Sequence, residues 1–410
     1  MKLTIIVIGD EILLGQVTDT NSGAIARALG PMGWSVERVL TVADDAPAIR
    51  AAIDSAMAST PLVITTGGLG PTKDDITKAT LMEIFGGPLR RDPEVTENIR
   101  RVFALRGLEM NPLTADQALV PESCRVIQNR YGTAPVMWYE REGRVLVSMP
   151  GVPFETEGML PEVAARVAAH FAPDIELHHS TLMAAGITES ALAARLDSYE
   201  RSLPDGLHLA YLPQPGLIRL RLDSIGCSRA DFDRAYSGLL DAAAPYIIYR
   251  GDATPAEMLL DTLRATSLTA ATAESCTGGS IARAITAVPG ASEAYLGGVV
   301  SYANSVKRGL LGVDAADLET HGAVSEPVVR AMAAGACRAT GADCAVATSG
   351  IAGPGGGSAD KPVGTVWIGW CVRGRVEAAC FHFPGSRARV VDRAVTEALL
   401  GLRRIILQHN

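Results

Sequence analysis

The stretch Thr272-Ala273-Glu274-Ser275-Cys276-Thr277-Gly278-Gly279 brings a carboxylate, a hydroxyl, a thiol and two glycines together. Leu268 to Ala273, just before and into it, is short, apolar and threonine-containing, which predicts a buried strand. Gly278 to Val288 is rich in alanine and isoleucine and predicts a helix. Ser275 then stands at a strand-to-helix turn, where the free N–H groups of the first helical turn and the positive end of the dipole converge. A hydroxyl there can attack a carbonyl while the amides hold the oxyanion. The same residues also satisfy a blander pattern, in which Ser275 and Thr277 only cap the helix. Cys276 is a nucleophile by chemistry, but it directly follows Ser275, so it projects elsewhere, and free cysteines are usually packed. Glu274 is open to two roles, a base or an orienter of its neighbours.

A serine nucleophile needs a base. The chain has 37 lysines and arginines, and only Lys2, Lys73, Lys78, Lys307 and Lys361 are lysine. Arginine stays protonated and lysine need not, so amine chemistry is one reason to keep lysine; a surface lysine is the plain alternative. Gly297 to Tyr302 predicts a strand, and Asn304 or Ser305 caps a following helix that contains Lys307. Tyr302 at the strand end and Lys307 near the first helical turn can both reach the Ser275 turn. The helix dipole and the adjacent Arg308 would lower the Lys307 pKa, and a partly neutral lysine is a general base suited to a serine. Ala345 to Ser349 predicts a buried strand that runs into Gly350, Gly353, Gly355, Gly356 and Gly357. Such a loop can wrap its N–H groups around a phosphate, although a flexible turn has the same composition. Lys361 to Trp367 returns as a strand. His321 is expected at the surface and Ser325 as a cap. Thr254, Pro255 and Glu257 have the spacing of a capping box.

The amino-terminal part alternates strand and helix: Lys2 to Ile8, a helix to about Leu29, Ser35 to Leu40, a helix to about Ala58, Leu62 to Thr66, and Ile76 to Phe85. That order predicts a parallel, doubly wound α/β sheet, with its site in loops at the carboxyl ends of the strands. Two such loops carry glycine and acid, Gly9 to Gly15 and Gly67-Gly68-Leu69-Gly70-Pro71-Thr72-Lys73-Asp74-Asp75. Glycines allow N–H nests for phosphate. The carboxylates of Asp10, Glu11, Asp74 and Asp75 are hard ligands suited to a divalent metal on a diphosphate; their plain alternative is helix capping. Neither the dinucleotide fingerprint nor a P-loop is present. Thr72 and Asp75 have capping-box-like spacing for the Ile76 helix, and Asp92-Pro93-Glu94 starts another. Ala134 to Tyr139 and Arg144 to Val147 predict a hairpin about Glu142-Gly143, and Phe154 to His170 a closing helix.

Pro173 marks a boundary. From His179 to Tyr249 the chain reads strand, helix, two strands, helix, a small α+β module whose order resembles a KH-like fold without the GxxG clamp. His178 to Arg250 holds seven arginines, no lysine and eight acids, a poor match to phosphate backbone, so a structural or dimer-forming spacer is expected and no nucleic acid. The adjacent His178 and His179 point to opposite faces of a strand and read as surface residues. Over the full 410 residues the net charge is -8, which argues against a general nucleic-acid binder. The first apolar run is too short to span a bilayer and has no signal-cleavage pattern, so no membrane association is expected. Seven cysteines scattered without CxxC spacing fit a reduced, cytoplasmic compartment. Three domains follow: residues 1–172, 173–251 and 252–410.

Gly-Asp-Glu-Ile-Leu-Leu-Gly (9–15), Asp-Thr-Asn-Ser (19–22), the Gly67 loop and Met149-Pro-Gly-Val-Pro-Phe-Glu155 resemble the molybdopterin-binding superfamily, and more closely the amino-terminal domain of the CinA (competence/damage-inducible protein) family. Ala273-Glu-Ser-Cys-Thr-Gly-Gly279, Val300-Ser-Tyr-Ala-Asn-Ser-Val-Lys307 and Thr348 to Gly357 resemble its carboxy-terminal domain, known as nicotinamide-nucleotide amidase. The first resemblance implies a pyrophosphatase acting on ADP-ribose with magnesium, manganese or cobalt, its ligands falling on Asp10, Asn21, Gly68, Asp74, Asp75 and Thr77, beside Gly67. The second implies hydrolysis of nicotinamide mononucleotide to nicotinic acid mononucleotide and ammonia without a cofactor. Ser275 would be nucleophile, Lys307 base, and Tyr302 a hydrogen-bond partner in that proton transfer. The N–H groups of Thr277, Gly278 and Gly279 would form the oxyanion hole, and Gly353 to Gly357 would hold the 5′-phosphate. By analogy a homodimer is expected. A different class also fits the family name: an accessory protein of competence or DNA damage that binds nucleotides without turnover.

Overall fold

Lys2–Ile8 (β1), Ser35–Val42 (β2) and Leu62–Thr66 (β3) form the parallel centre of a six-stranded sheet. Arg125–Ile127 (β4), Val136–Arg141 (β5) and Arg144–Met149 (β6) complete it in the order β2-β1-β3-β6-β5-β4. β6 is parallel to β3, and β5 and β4 are antiparallel additions. The sheet is therefore mixed rather than wholly parallel. The reason is local: Glu142 and Gly143 both take positive φ, 53° and 73°, and make the tight hairpin that the sequence signalled.

β1 shows why both faces are covered. Leu3, Ile5 and Val7 join one core with Asn21–Leu29 (α1), whereas Ile6 and Ile8 join another with Ala46–Ser59 (α2) and Thr77–Phe85 (α3). A period of two sends alternate side chains to opposite layers. Pro153–Phe171 (α4) lies on the α1 side. The Thr72–Asp75 pair does not cap α3, whose N-cap is Ile76 without a side-chain bond. Asp92 does cap Pro93–Leu105, accepting from Glu94 N and Val95 N.

The structure, a computed structural model, describes residues 1–172 and 176–409; Pro173, the expected boundary, lies outside them. Two units emerge: Met1–His178 with Ile225–Ser228, and His179–Ser224 with Arg229 onward. In the second, Leu177–Ala184 (β7), Leu207–Gln214 (β8), Leu217–Ile225 (β9) and Ile247–Arg250 (β10) form a sheet in the order β8-β9-β7-β10. Glu189–Arg201 (α5) and Arg229–Ala243 (α6) bury Leu192, Leu196, Phe232 and Leu239. β10 is a strand that the sequence reading did not separate. In β7, His178 is partly buried beside Glu176, and His179 is exposed.

The remaining elements build a second α/β sheet. Ala270–Glu274 (β11), Tyr295–Val300 (β12), Cys344–Gly350 (β13), Thr365–Val372 (β14) and Arg375–His382 (β15) take the order β12-β11-β13-β14-β15. The first three are parallel, the last two antiparallel. One face is covered by Pro255–Thr266 (α7), Ser280–Thr286 (α8) and, much later in the chain, Arg387–His409. Asn304–Leu311 (α9) and Glu326–Thr340 (α10) cover the other; the Arg387–His409 helix is α11. The Thr254–Glu257 capping box forms as its spacing predicted.

α10 seats α9 by close backbone approach. A Cβ on Gly335 would fall 2.1 Å from the Leu311 carbonyl oxygen. Gly335→Ala is thus expected to destabilise the protein by about 1–3 kcal/mol, the usual cost of overpacking. Gly309→Ala, within α9 and with nothing within 4 Å of its Cβ position, should instead stabilise by up to about 1 kcal/mol. Denaturant melts of the two variants check the contrast.

Candidate active site

β11 ends at Glu274, and Ser275 N makes one more bond to the neighbouring strand, donating to Thr348 O at 3.0 Å. Gly278 and Gly279 then adopt left-handed φ of 62° and 97°, so the chain reverses and α8 begins at Ser280 rather than at Gly278. Neither Ser275 nor Thr277 caps it. The cap is the fully buried carboxylate of Glu274. Its Oε2 accepts from Thr277 Oγ1 (2.7 Å), Gly279 N (3.0 Å) and Ile281 N (3.0 Å), and Oε1 from Ala282 N (2.8 Å). An anion at a helix N-terminus meets orphan donors and a favourable dipole. Of its two possible roles, Glu274 takes the orienting one, and Ser275 is left without structural duty.

This arrangement changes the expected oxyanion donors. The Gly278 amide donates to Ser275 O at 3.2 Å, and the Gly279 amide to Glu274. Of the three amides expected, only that of Thr277 makes no hydrogen bond to the described residues. Cys276 is buried in the core, and burial pushes its thiol up to about 11. It is no thiolate at neutral pH.

Lys307 is the fourth residue of α9, whose N-cap is Ala303 rather than Asn304 or Ser305. Its side chain is 1% exposed. Nζ lies 3.1 Å from Ser275 Oγ, 2.6 Å from Ser301 O and 3.4 Å from Tyr302 O. No carboxylate among the described residues forms an ion pair with it. Burial holds its pKa below the usual lysine value, and the Cys276 thiol works weakly the other way. The direction is the expected one and the cause differs: Arg308 points to solvent, and desolvation, not a neighbouring cation, does the lowering. Tyr302 departs from its expected role. It is 65% exposed, and its carbonyl, not its hydroxyl, meets Lys307. The hydroxyl accepts from Arg387 Nη2 at 3.3 Å.

These residues open on a cleft of about 290 Å³. Gly353, Gly355 and Gly356 form one wall; Ala323 and Val324, held by Ser349 Oγ donating to Ala323 O at 2.7 Å, form another. Gly357 sits behind, against Val363 N. The amides of Gly355 and Gly356 make no hydrogen bond to the described residues. Arg387, at the start of α11, donates to Gly353 O at 2.8 Å and carries no carboxylate partner among the described residues. It is the cleft's exposed cation, and sequence reasoning missed it; as one arginine among many it carries no local signal. Asn304 also faces the cleft.

The amino-terminal loops give a second candidate site. Gly67 and Gly68 have φ of 113° and 63° after β3. A Cβ on Gly68 would strike Thr77 Oγ1 and lie 3.4 Å from Asp44 Oδ1. Asn21 Nδ2 donates to Thr66 Oγ1 (2.9 Å) and Gly151 O (2.8 Å). The other polar atoms there, Asn21 Oδ1 and Thr77 Oγ1, are buried with no hydrogen-bond partner. The four expected carboxylates behave differently from one another. Asp75 staples its own loop, accepting from Gly70 N (2.7 Å) and Thr72 N (2.9 Å). Asp74 is exposed, and Glu11 is exposed with its carboxylate over Gly9. Asp10 faces Asp44, a residue outside the expected ligand set: Asp10 N donates to Asp44 Oδ2 at 3.0 Å and Asp44 N to Asp10 Oδ1 at 3.3 Å. Partial burial, then the charges of Asp10, Glu11 and Asp75, raise the Asp44 pKa. Among the described residues no three acidic, histidine or cysteine side chains form a metal-holding group, so the four carboxylates are not one chelate. The oxygen set around Gly68 still suits a hard cation, with Asp10 and Asp44 supplying charge. Among the described residues no helix is long and apolar enough to cross a membrane.

Comparison with known proteins covers both sites. Residues 252–406 match the model described as the CinA C-terminal domain, and residues 4–170 the one described as "Probable molybdopterin binding domain". A CinA-like protein of Gemmatimonas aurantiaca is 42% identical over 98% of this chain and 96% of its own length. One from Salinibacter ruber is 39% identical over 99% of this chain and 100% of its own. A solved CinA superfamily protein of Klebsiella pneumoniae is 38% identical and covers 38% of this chain and 99% of its own, with a TM-score of 0.37.

The Glu274 cap can be tested apart from any activity. Glu274→Gln keeps the shape but halves the acceptors and removes the charge, and should cost about 2–3 kcal/mol in a denaturant melt. Serine reactivity toward an acylating probe should fall with it, because the Ser275 turn loses its anchor.

Proposed function

The chain belongs to the CinA family, and on that premise we propose that its carboxy-terminal site hydrolyses the carboxamide of nicotinamide mononucleotide, releasing ammonia and nicotinic acid mononucleotide. The observation that carries this reading is the buried Lys307 amine 3.1 Å from Ser275 Oγ. A neutral amine has two N–H donors and one lone pair. Ser301 O and Tyr302 O take the two donors, and the lone pair is left for the serine hydroxyl. Ser275 Oγ gives its proton to Lys307 Nζ as it attacks the amide carbon; the lysine then passes that proton to the leaving nitrogen, which departs as ammonia. Water, activated by the same amine, cleaves the resulting ester. The Thr277 amide can donate to the developing oxyanion. Arg387 and the Gly355 and Gly356 amides suit the 5′-phosphate, a dianion that needs charge-assisted donors.

The test is ammonia release from nicotinamide mononucleotide with a chelator present. Ser275→Ala and Lys307→Arg should each lose roughly a thousandfold or more while staying folded; arginine stays protonated and cannot accept the proton. Cys276→Ala should keep most activity. Wild-type kcat/KM should rise with pH and level off below the usual lysine pKa, since protonation of Lys307 removes the base. Arg387→Ala should raise KM about 10–100-fold for the mononucleotide and leave that for nicotinamide riboside unchanged. Ligand binding by the wild type with no ammonia released would instead favour an accessory protein that binds nucleotides without turnover.

A second reading, metal-dependent cleavage of the ADP-ribose diphosphate by the amino-terminal domain, is supported by two orphaned buried oxygens, Thr77 Oγ1 beside Gly68 and Asn21 Oδ1 on the side chain that donates to Thr66 and Gly151. Asp10 and Asp44 would hold a magnesium, manganese or cobalt ion with them, and that ion would neutralise diphosphate charge. Asp44→Asn should abolish AMP release from ADP-ribose in manganese and leave ammonia release from nicotinamide mononucleotide unchanged. Equal loss of both would sink the reading.

A further inference from the structure

Lys361 is one of the chain's five lysines, and neither proposed reaction uses it. The sequence places it at the start of a strand, but β14 begins only at Thr365. Lys361 instead lies in the loop that leads from the cleft back to that strand. The loop is closed at its neck, where Ile351 N donates to Thr365 O at 2.8 Å and Gly364 N to Ile351 O at 2.7 Å. Ser358 and Lys361 close its tip: Ser358 N donates to Lys361 O at 2.9 Å, and Lys361 N to Ser358 Oγ at 3.1 Å. Between neck and tip run Gly353, Gly355 and Gly356, one wall of the cleft.

Glycine leaves such a loop free to move, so what fixes it must come from outside. Among the described residues, and beyond the loop's own ends, two hydrogen bonds tie 352–363 to other elements, and both donors are long cations. Arg387 of α11 donates to Gly353 O near the loop's start. Lys361 reaches out from near its end, and Nζ donates to His321 O at 2.7 Å. His321 is the last residue of the helix Ala315–His321, so the ammonium meets a carbonyl that the helix leaves open, at the negative end of its dipole. No carboxylate among the described residues forms an ion pair with Lys361. The residues that follow His321 are the opposite wall, Ala323 and Val324. Ser349 Oγ joins the two walls at the root of the loop, through Ala323 O. Lys361 joins them at its tip.

We propose that Lys361 is a positioning residue for the substrate's phosphate. It braces the glycine loop against the His321 wall, so that the open Gly355 and Gly356 amides keep one orientation toward the cleft. Lys361 acts through the loop and does not touch the substrate. A loop ordered beforehand spares the bound phosphate the entropy of ordering it. The brace therefore sets the preference for a mononucleotide over its dephosphorylated nucleoside and leaves the Ser275–Lys307 chemistry alone. This inference rests on the reading of the cleft as a mononucleotide site.

The experiment compares the full-length wild type with Lys361→Met, which keeps the stem and loses the donor, and Lys361→Arg, which keeps a charged donor. Calorimetry with the product, nicotinic acid mononucleotide, reads binding without turnover; ammonia release reads KM and kcat. Lys361→Met should weaken product binding and raise KM for nicotinamide mononucleotide about 5–20-fold. Its kcat should stay within about twofold of wild type, and its KM for nicotinamide riboside should not change. Lys361→Arg should recover most of the loss. Hydrogen exchange of 352–357 should quicken in Lys361→Met and slow again in Lys361→Arg. The proposal is overturned if product affinity and exchange in Lys361→Met match wild type, or if KM rises equally for riboside and mononucleotide. Failure of the amidase reading looks different: no variant releases ammonia, yet wild type still binds the product more tightly than Lys361→Met, which upholds the brace.

Discussion

A lysine held out of water with no acid beside it is the constraint around which the carboxy-terminal half is organised. Burying an uncompensated ammonium is costly, and the common relief is to give up the proton. Among the described residues, the Lys307 amine hydrogen-bonds only two backbone carbonyls and the Ser275 hydroxyl. The strand end that supplies Ser301 O and Tyr302 O and the helix that supplies the amine must keep their spacing for this to hold. Gly335 under Leu311, and Arg338 on the same carbonyl, fix the far end of that helix.

The nucleophile is placed by a different device. Glu274 uses its carboxylate as an internal helix cap, and its four hydrogen bonds reach across the turn rather than along it. Ser275 is the next residue in the chain, so whatever holds Glu274 holds Ser275. Two left-handed glycines make the reversal possible and bring the Gly279 amide back onto the carboxylate. A buried acid one residue from a reactive serine thus does structural work, and the base comes from another helix.

The amino-terminal half uses glycine differently. At Gly68 the missing Cβ leaves space that Thr77 and Asp44 oxygens border. Asn21 reaches the same region from α1 through Thr66 and Gly151. Partners there are drawn from the loops after the parallel strands β1, β2, β3 and β6 and from the first residues of α1 and α3, as expected where strand carboxyl ends gather.

Much of the fold was legible in the residues. The alternation in β1, the Glu142-Gly143 turn, the Asp92 cap and the Thr254 capping box are set by neighbours a few positions away, and each formed where its pattern stood. The strand-turn-helix at Ser275 and the helix carrying Lys307 were legible for the same reason. What the tertiary structure alone decided involves distant partners: the depth at which Lys307 is buried, the choice of Thr277 over Gly278 and Gly279 as open amide, Arg387 reaching Tyr302 across 85 positions, and Asp44 rather than Asp74 or Asp75 facing Asp10. Desolvation and long-range hydrogen bonding depend on which layers pack together, and a local pattern of residue types does not encode that packing.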